Sequence, residues 1–166
     1  MKKAILAIMV LGLCFGLATS AMAAEVTTEV TVTVNSIDEL TVPSTVAITL
    51  DAVDGTTPTK YAQGTATDTN GLTYSHNSET SKKITATAAA GGTNGTNDID
   101  LTVAIGTEAA GTVVTDGVGA TAAVTLWTGI AAGGYEKDLT WTADASLAGT
   151  PADDYTFTVT FTTADV

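Results

Sequence analysis

The residues that could carry chemistry are few in this chain, and the rarest of them is a lone histidine. His76 is the only histidine and Cys14 the only cysteine among 166 residues. A Ser–His–Asp triad or a histidine-based metal site would therefore have to use His76. It stands before Asn77 and Ser78 in a polar stretch with no nucleophile motif, so we expect a solvent-exposed turn residue. This pattern predicts a protein that is not an enzyme and has no catalytic residues.

Carboxylate and amide oxygens form a second group, whose chemistry is that of a hard cation. Asp68 and Asn70 stand close together in one polar stretch, and Asp98 and Asp100 do so in another. Oxygen ligands of this kind suit Ca²⁺. The run from Asp68 to Gly71 matches only a fragment of a complete calcium loop, and turn chemistry explains these residues equally well. Calcium, with these four candidate ligands, is thus the only cofactor that the sequence leaves open.

Aromatic residues suggest a third chemistry, which is binding to the face of a sugar ring. Trp127, Trp141 and Tyr135 could line such a surface. Trp141 shares its strand face with Leu139, which favours a core position, whereas the role of Trp127 stays open. Paired carboxylates could in principle hydrolyse a glycoside, but the chain is small for such an enzyme. A monomeric binding or adhesion module for carbohydrate or calcium is therefore an alternative function.

The first residues are typical of a secretory signal peptide. Two lysines precede an apolar run, which ends before the A-x-A cleavage pattern at Ala21–Ala23. We predict a signal peptide over residues 1–23 and a single mature domain over residues 24–166. The expected location is extracellular or at the cell surface, reached through the periplasm.

The charge balance excludes several classes of partner. The formal net charge is −12, and the chain contains no arginine. Such a surface repels nucleic acid and anionic membranes. We therefore expect no nucleic-acid partner and no membrane insertion once the signal peptide is removed.

Strict alternation along the chain predicts the elements that must hold these residues. The clearest case is Tyr155–Thr163, in which aromatic or branched residues alternate with threonine. This period of two places successive side chains on opposite faces of a strand. The same pattern recurs over Val26–Val34, Asp98–Ile105 and Tyr135–Ala145. Roughly eight to ten short strands separated by turn signals predict an all-β sandwich or barrel.

Three further stretches carry specific expectations. Glu39–Leu50 is predicted as a strand interrupted at Pro43, at an edge or where a strand changes sheets. Asp51–Asn70 is rich in turn residues and is predicted to be a long loop. Asp116–Gly117 predicts a hairpin turn. The inward faces of the strands predict these core residues: Ile99, Leu101, Val103, Leu139, Trp141, Phe157, Val159 and Phe161.

The last third of the chain resembles a family of secreted bacterial domains. Leu139–Ala143 reads LTWTA, and Pro151–Thr162 reads PADDYTFTVTFT. This ending resembles spore coat protein U-like and related pilin-like domains. The resemblance implies an immunoglobulin-like antiparallel β-sandwich. It also implies a fimbrial subunit, in which one subunit's strand completes the sheet of the next.

The favoured function is therefore a secreted, non-catalytic structural subunit of a surface fibre or pilus. We expect self-association into fibres, with Val26–Val34 as the exchanged strand and Val26, Val30, Val32 and Val34 as its assembly face. This strand is close to the mature terminus, and a regular valine face can fill a groove between sheet edges. The same strand could instead fold back as an ordinary edge strand of its own domain, and the sequence leaves both arrangements open.

Overall fold

The chain folds into β-strands joined by turns and loops. The computed structural model describes residues 29–91 and 97–166. The strands in these residues are β1 (Asp38–Thr41), β2 (Gly64–His76), β3 (Lys82–Gly91), β4 (Asp100–Ile105), β5 (Gly111–Thr115), β6 (Val118–Gly119), β7 (Val124–Ile130), β8 (Gly133–Asp144) and β9 (Thr156–Asp165). The described part contains no helix that could cross a membrane. The predicted signal peptide and Val26 lie outside the described residues.

Two antiparallel sheets make up the fold. The large sheet has the strand order β1-β2-β8-β4-β5-β6, and the small sheet has the order β7-β3-β9. Their apolar faces enclose one core, as expected when the inner faces of two sheets pack together. The prediction of an all-β antiparallel sandwich is confirmed.

The compact sandwich begins later than the predicted mature domain. The chain divides after Val34, and the sandwich is made by Asn35–Val166. The described residues before this point, 29–34, form no strand, so the predicted strand Val26–Val34 is wrong over that part. Alternation alone does not make a strand, because its backbone groups need a partner strand to bond to.

The predicted inward faces of the strands are confirmed, but not all of the predicted core residues are fully buried. The largest completely buried side chains are those of Tyr74, Leu72, Ile84, Ile105, Ile130, Leu139, Val103, Val113 and Val114. The predicted core residues Ile99, just before β4, Leu101 of β4 and Trp141 of β8 are also buried. Phe157, Val159 and Phe161 pack against this core but are only half-buried. They lie on β9, which is the last strand of the small sheet and, among the described residues, has no strand beside it on one side.

The predicted loop Asp51–Asn70 is wrong in its second half, because β2 begins at Gly64. Ala66 of β2 pairs with Trp141 of β8, so a small residue lies where the neighbouring indole needs room. A bulge follows between Asp68 and Leu72, with Asn70 at a φ of 52°. Small and polar residues therefore belong to the strand itself here, although the same residue types are common in turns.

One side of the sandwich is closed by the hairpin of β5 and β6. Its two-residue turn, Asp116–Gly117, has φ angles of 48° and 71°, which confirms the predicted hairpin signal. Just after β6, the carbonyl of Ala120 accepts a hydrogen bond of 2.9 Å from the backbone of Ala88 in β3. This contact joins the large sheet to the small one and covers the core on that side.

Candidate functional site: a groove along the open edge of the sandwich

The small sheet ends at an unpaired strand edge. β9 pairs with β3 along its length and with no other strand in the part of the chain that the structure describes. From Phe157 onward, inward apolar side chains alternate with exposed threonines as far as Thr162. An edge strand of this kind presents a row of backbone N–H and C=O groups that can bond a further strand.

An apolar groove of about 860 Å³ runs beside this edge. We call it the edge groove; its walls are β9 and residues 42–50. Leu101, Trp141 and Ala143, from the inner face of the large sheet, also line it. The core of the sandwich is therefore left partly uncovered on this side, whereas the hairpin of β5 and β6 covers the other side. The volume of the edge groove lies within the range of clefts that bind ligands.

A smaller part of the groove, of about 510 Å³, extends toward β1. Leu40 lines one side and residues 159–163 line the other, with Asp38 among the lining residues. Val42, Val159 and Phe161 border both parts, so the two are adjacent. The groove thus follows most of β9, and an extended segment is the shape that suits it.

Charged side chains join the two sheets near the β1 end of the groove. Lys82 Nζ lies 2.9 Å from Asp165 Oδ1 in β9 and 3.4 Å from Asp38 Oδ2 in β1. We call these three residues the ionic clamp. The hydrogen bond from Lys82 lowers the pKa of Asp165, and the hydrogen bond to Asp165 raises the pKa of Lys82. The clamp holds β1 and β9 together at a point where no strand pairing does so.

Tyr74 supports the clamp from β2. Its hydroxyl donates a hydrogen bond of 3.0 Å to Asp38 Oδ1. Burial and this bond to a carboxylate raise the pKa of Tyr74 to about 12, so the phenol stays protonated and remains a donor. Burial alone would raise the pKa of Asp38, but the hydrogen bonds from Tyr74 and Lys82 outweigh it and lower that pKa.

Trp141 is the one lining residue with an unsatisfied buried polar atom among those described. Its side chain is 7% exposed, and its Nε1 has no hydrogen-bond partner in the described structure. Phe161 packs edge-on against the indole, with ring centroids 5.9 Å apart. A buried donor without an acceptor destabilises a fold. The indole N–H of Trp141 is such a donor in the described structure of the isolated chain.

The predicted assembly face is exposed where it can be observed. The side chains of Val30, Val32 and Val34 are 77%, 78% and 78% exposed. Three large apolar side chains in alternation therefore face solvent instead of a core. This is the arrangement expected of a strand that lacks its partner sheet.

The structure does not bring the four calcium candidates together. Asp68 pairs with Leu139 near the middle of β8, and Asp100 pairs with Asp144 at its end; these two β8 positions are roughly 17 Å apart at strand spacing. Within the described ranges, no group of three or more acidic, histidine or cysteine side chains could hold a metal. Calcium binding through these residues stays a prediction.

Three of those candidates already make internal hydrogen bonds. Asp98 Oδ1 accepts from the backbone N–H of Ser146 and from the Thr150 hydroxyl, at 3.0 and 2.5 Å. Asp100 Oδ1 accepts from the N–H of Asp116 at 3.0 Å. The N–H of Asn70 donates to Asp138 Oδ1 at 2.9 Å. These residues hold turns in place, which is the role that turn chemistry predicts.

His76 is not the exposed turn residue that its neighbours in sequence suggested. It is the last residue of β2 and only 3% exposed, and its ring stacks on Tyr74 at 5.3 Å. Its Nε2 lies 3.2 Å from the carbonyl of Ile130, while Nδ1 has no partner in the described structure. Alternation with Leu72 and Tyr74 was the signal that places it inside.

The aromatic residues that could face a sugar contact each other instead. Trp127 packs edge-on against Tyr135 at 5.2 Å, and Lys137 Nζ lies 5.6 Å from the Trp127 ring centroid. The Tyr135 hydroxyl donates to the carbonyl of Ala131. These contacts occupy much of the surface that a sugar would need. Trp141 is buried, as predicted.

No known protein family, curated protein or solved structure matches the chain.

Proposed function

We propose that this protein is a secreted, non-catalytic structural subunit of a surface fibre or pilus. Subunits join when residues 26–34 of one copy enter the edge groove of another copy. The groove beside the unpaired edge of β9 is the observation on which this proposal rests. The resemblance of the C-terminal third to pilin-like domains supports the same assignment.

The dimensions of the inserted segment and its groove agree. Nine extended residues span about 30 Å, and the ten residues of β9 span about 33 Å. Val30, Val32 and Val34 present one apolar face, which suits the half-buried side chains of Phe157 and Phe161. An added strand gains backbone hydrogen bonds from the edge, while its alternate side chains fill the groove.

Matched substitutions on the two faces of the segment test this function. Val32→Asp places a charge on the face that enters the groove, where burial without a partner is costly. Thr33→Asp adds the same charge to the opposite face. We expect the parent and Thr33→Asp to assemble, and Val32→Asp to need at least about tenfold more protein to do so, since each tenfold corresponds to about 1.4 kcal/mol.

Light scattering after size-exclusion chromatography, with electron microscopy of the same fractions, measures this assembly. If Val32→Asp assembles as readily as Thr33→Asp, the segment is not the assembly strand. If the full-length parent stays monomeric and melts in one concentration-independent step, the fibre function is wrong. The carbohydrate- or calcium-binding module would then be the better hypothesis.

A further inference from the structure

Residues 42–50 follow β1 without forming a strand, although the chain on both sides of them pairs in one register. Thr41 pairs with Thr73, and the next pair is the bridge between Val53 and Tyr61. Twelve positions separate the two pairs on each side, from 41 to 53 on one and from 61 to 73 on the other. The intervening residues therefore have the right number for an unbroken strand beside β2.

The side chains of this segment are already arranged as in a strand. Val46, Ile48 and Leu50 are half-buried against the core, and the residues between them are exposed. Its backbone, by contrast, is unpaired: no backbone hydrogen bond joins residues 42–51 to another described part of the chain. Backbone groups in a partly buried segment normally find partners.

Gly64 indicates where the segment lies. A Cβ at this position would meet the side chains of Ile48 and Leu50 at 2.6 and 2.8 Å. Gly64 pairs with Ala143, which is buried on the inner face of the large sheet. The segment has therefore left the edge of the large sheet and lies over its inner face. From there it forms the wall of the edge groove that stands opposite β9.

We propose that residues 42–50 are a latent strand, which pairs with the segment that enters the edge groove. The inserted residues 26–34 of a second copy would then be bonded by β9 on one edge and by the latent strand on the other. Pro43 supplies no N–H, so the new donors begin at Ser44. This inference rests on the proposed function and adds that insertion orders the acceptor subunit.

Hydrogen exchange tests the latent strand without changing it. The full-length Val32→Asp variant keeps the groove and should fill it in another copy at least about tenfold less readily than the parent, so at low protein concentration it serves as the acceptor. A synthetic peptide of residues 26–34 serves as the inserted strand. We expect all amides over residues 44–50 to exchange rapidly in the acceptor alone. With saturating peptide, every second amide, the set that faces the inserted strand, should exchange at least about tenfold more slowly, because only bonded amides are protected. Amides of β4, which are paired on both sides, should be protected in both samples.

Each result has a distinct meaning. If the peptide binds and protects β9 but every amide over residues 44–50 stays fast, the latent strand is wrong and the proposed function stands. If every second amide over residues 44–50 is already protected without peptide, the segment is an ordinary strand and the inference is wrong. If the peptide does not bind, the proposed function itself fails.

Discussion

Phe161 shows how an open side changes the energetics of a single residue. Its ring contacts Trp141, yet its side chain is only half-buried because it borders the edge groove. Leu139, on β8 between β2 and β4, is completely buried. The same truncation to alanine therefore removes fewer contacts at Phe161, although phenylalanine is the larger residue.

We expect Phe161→Ala to cost less than Leu139→Ala in the isolated subunit. Truncating a fully buried leucine costs 2–5 kcal/mol, and a fully buried phenylalanine costs 3–5 kcal/mol. Half-burial should bring Phe161→Ala down to about 2 kcal/mol. Urea unfolding of monomeric protein measures both values. If Phe161→Ala lowers the free energy of unfolding as much as Leu139→Ala does, the groove is closed in solution.

At the level of elements, alternation predicted those strands whose neighbours lie within the sandwich. The alternation in β4, β8 and β9 is enough to predict each strand and its inward face, because all the apolar side chains at a period of two lie on the same face of the strand. The first half of β2 was missed because Gly64 and Ala66 are small to accommodate other side chains, which no local pattern records. The strand prediction failed over residues 29–34 for the opposite reason: their pattern is strong, but no strand of the described residues pairs with them.

The edge groove and the ionic clamp could not be predicted from the sequence. The groove depends on which strands become edges, and that is decided by pairing between distant segments. The clamp brings together Asp38, Lys82 and Asp165, which no motif connects. The broken alternation around Pro43 was a partial signal: the predicted strand Glu39–Leu50 is real only over its first residues, through Thr41.

The ionic clamp predicts a loss of stability in acid. The pKa values of Asp38 and Asp165 lie below their ordinary value of 3.8, so their contribution is present above that pH. It is lost as the pH falls through the lowered values. We expect Lys82→Met to unfold more easily near neutral pH and to lose less stability than the parent on acidification below pH 3.8.

Urea midpoints measured across this pH range provide the test, and Lys60→Met is the matched control. Lys60 pairs with Asp144 at 3.3 Å, but 48% of the Lys60 side chain is exposed, whereas only 14% of the Lys82 side chain is exposed in the clamp. Exposed pairs contribute little to stability. The urea midpoints of Lys60→Met should therefore change with pH as those of the parent do. If the midpoints of Lys82→Met also run parallel to those of the parent, the clamp does not contribute to the stability of the sandwich.

On the scale of the whole molecule, the sandwich is closed along one side and open along the other. The hairpin of β5 and β6 covers the core on the closed side, and the edge groove remains on the open side. A net charge of −12 makes copies of the chain repel each other. Association under the proposed function would therefore have to come from apolar contacts and backbone pairing between the groove and the inserted segment.

Disulfide trapping between two different copies tests this account most directly. In protein of residues 24–166, which lacks Cys14, Thr31→Cys is mixed in turn with Thr158→Cys, Thr160→Cys or Thr162→Cys on the exposed face of β9. A disulfide requires Cα atoms within about 7 Å. Thr112→Cys, an exposed residue of β5, is the control. We predict mixed disulfides that peak at one β9 position and are absent with Thr112→Cys. Equal yields at all four positions, or a bond that forms only within a chain carrying both cysteines, would contradict strand exchange between subunits.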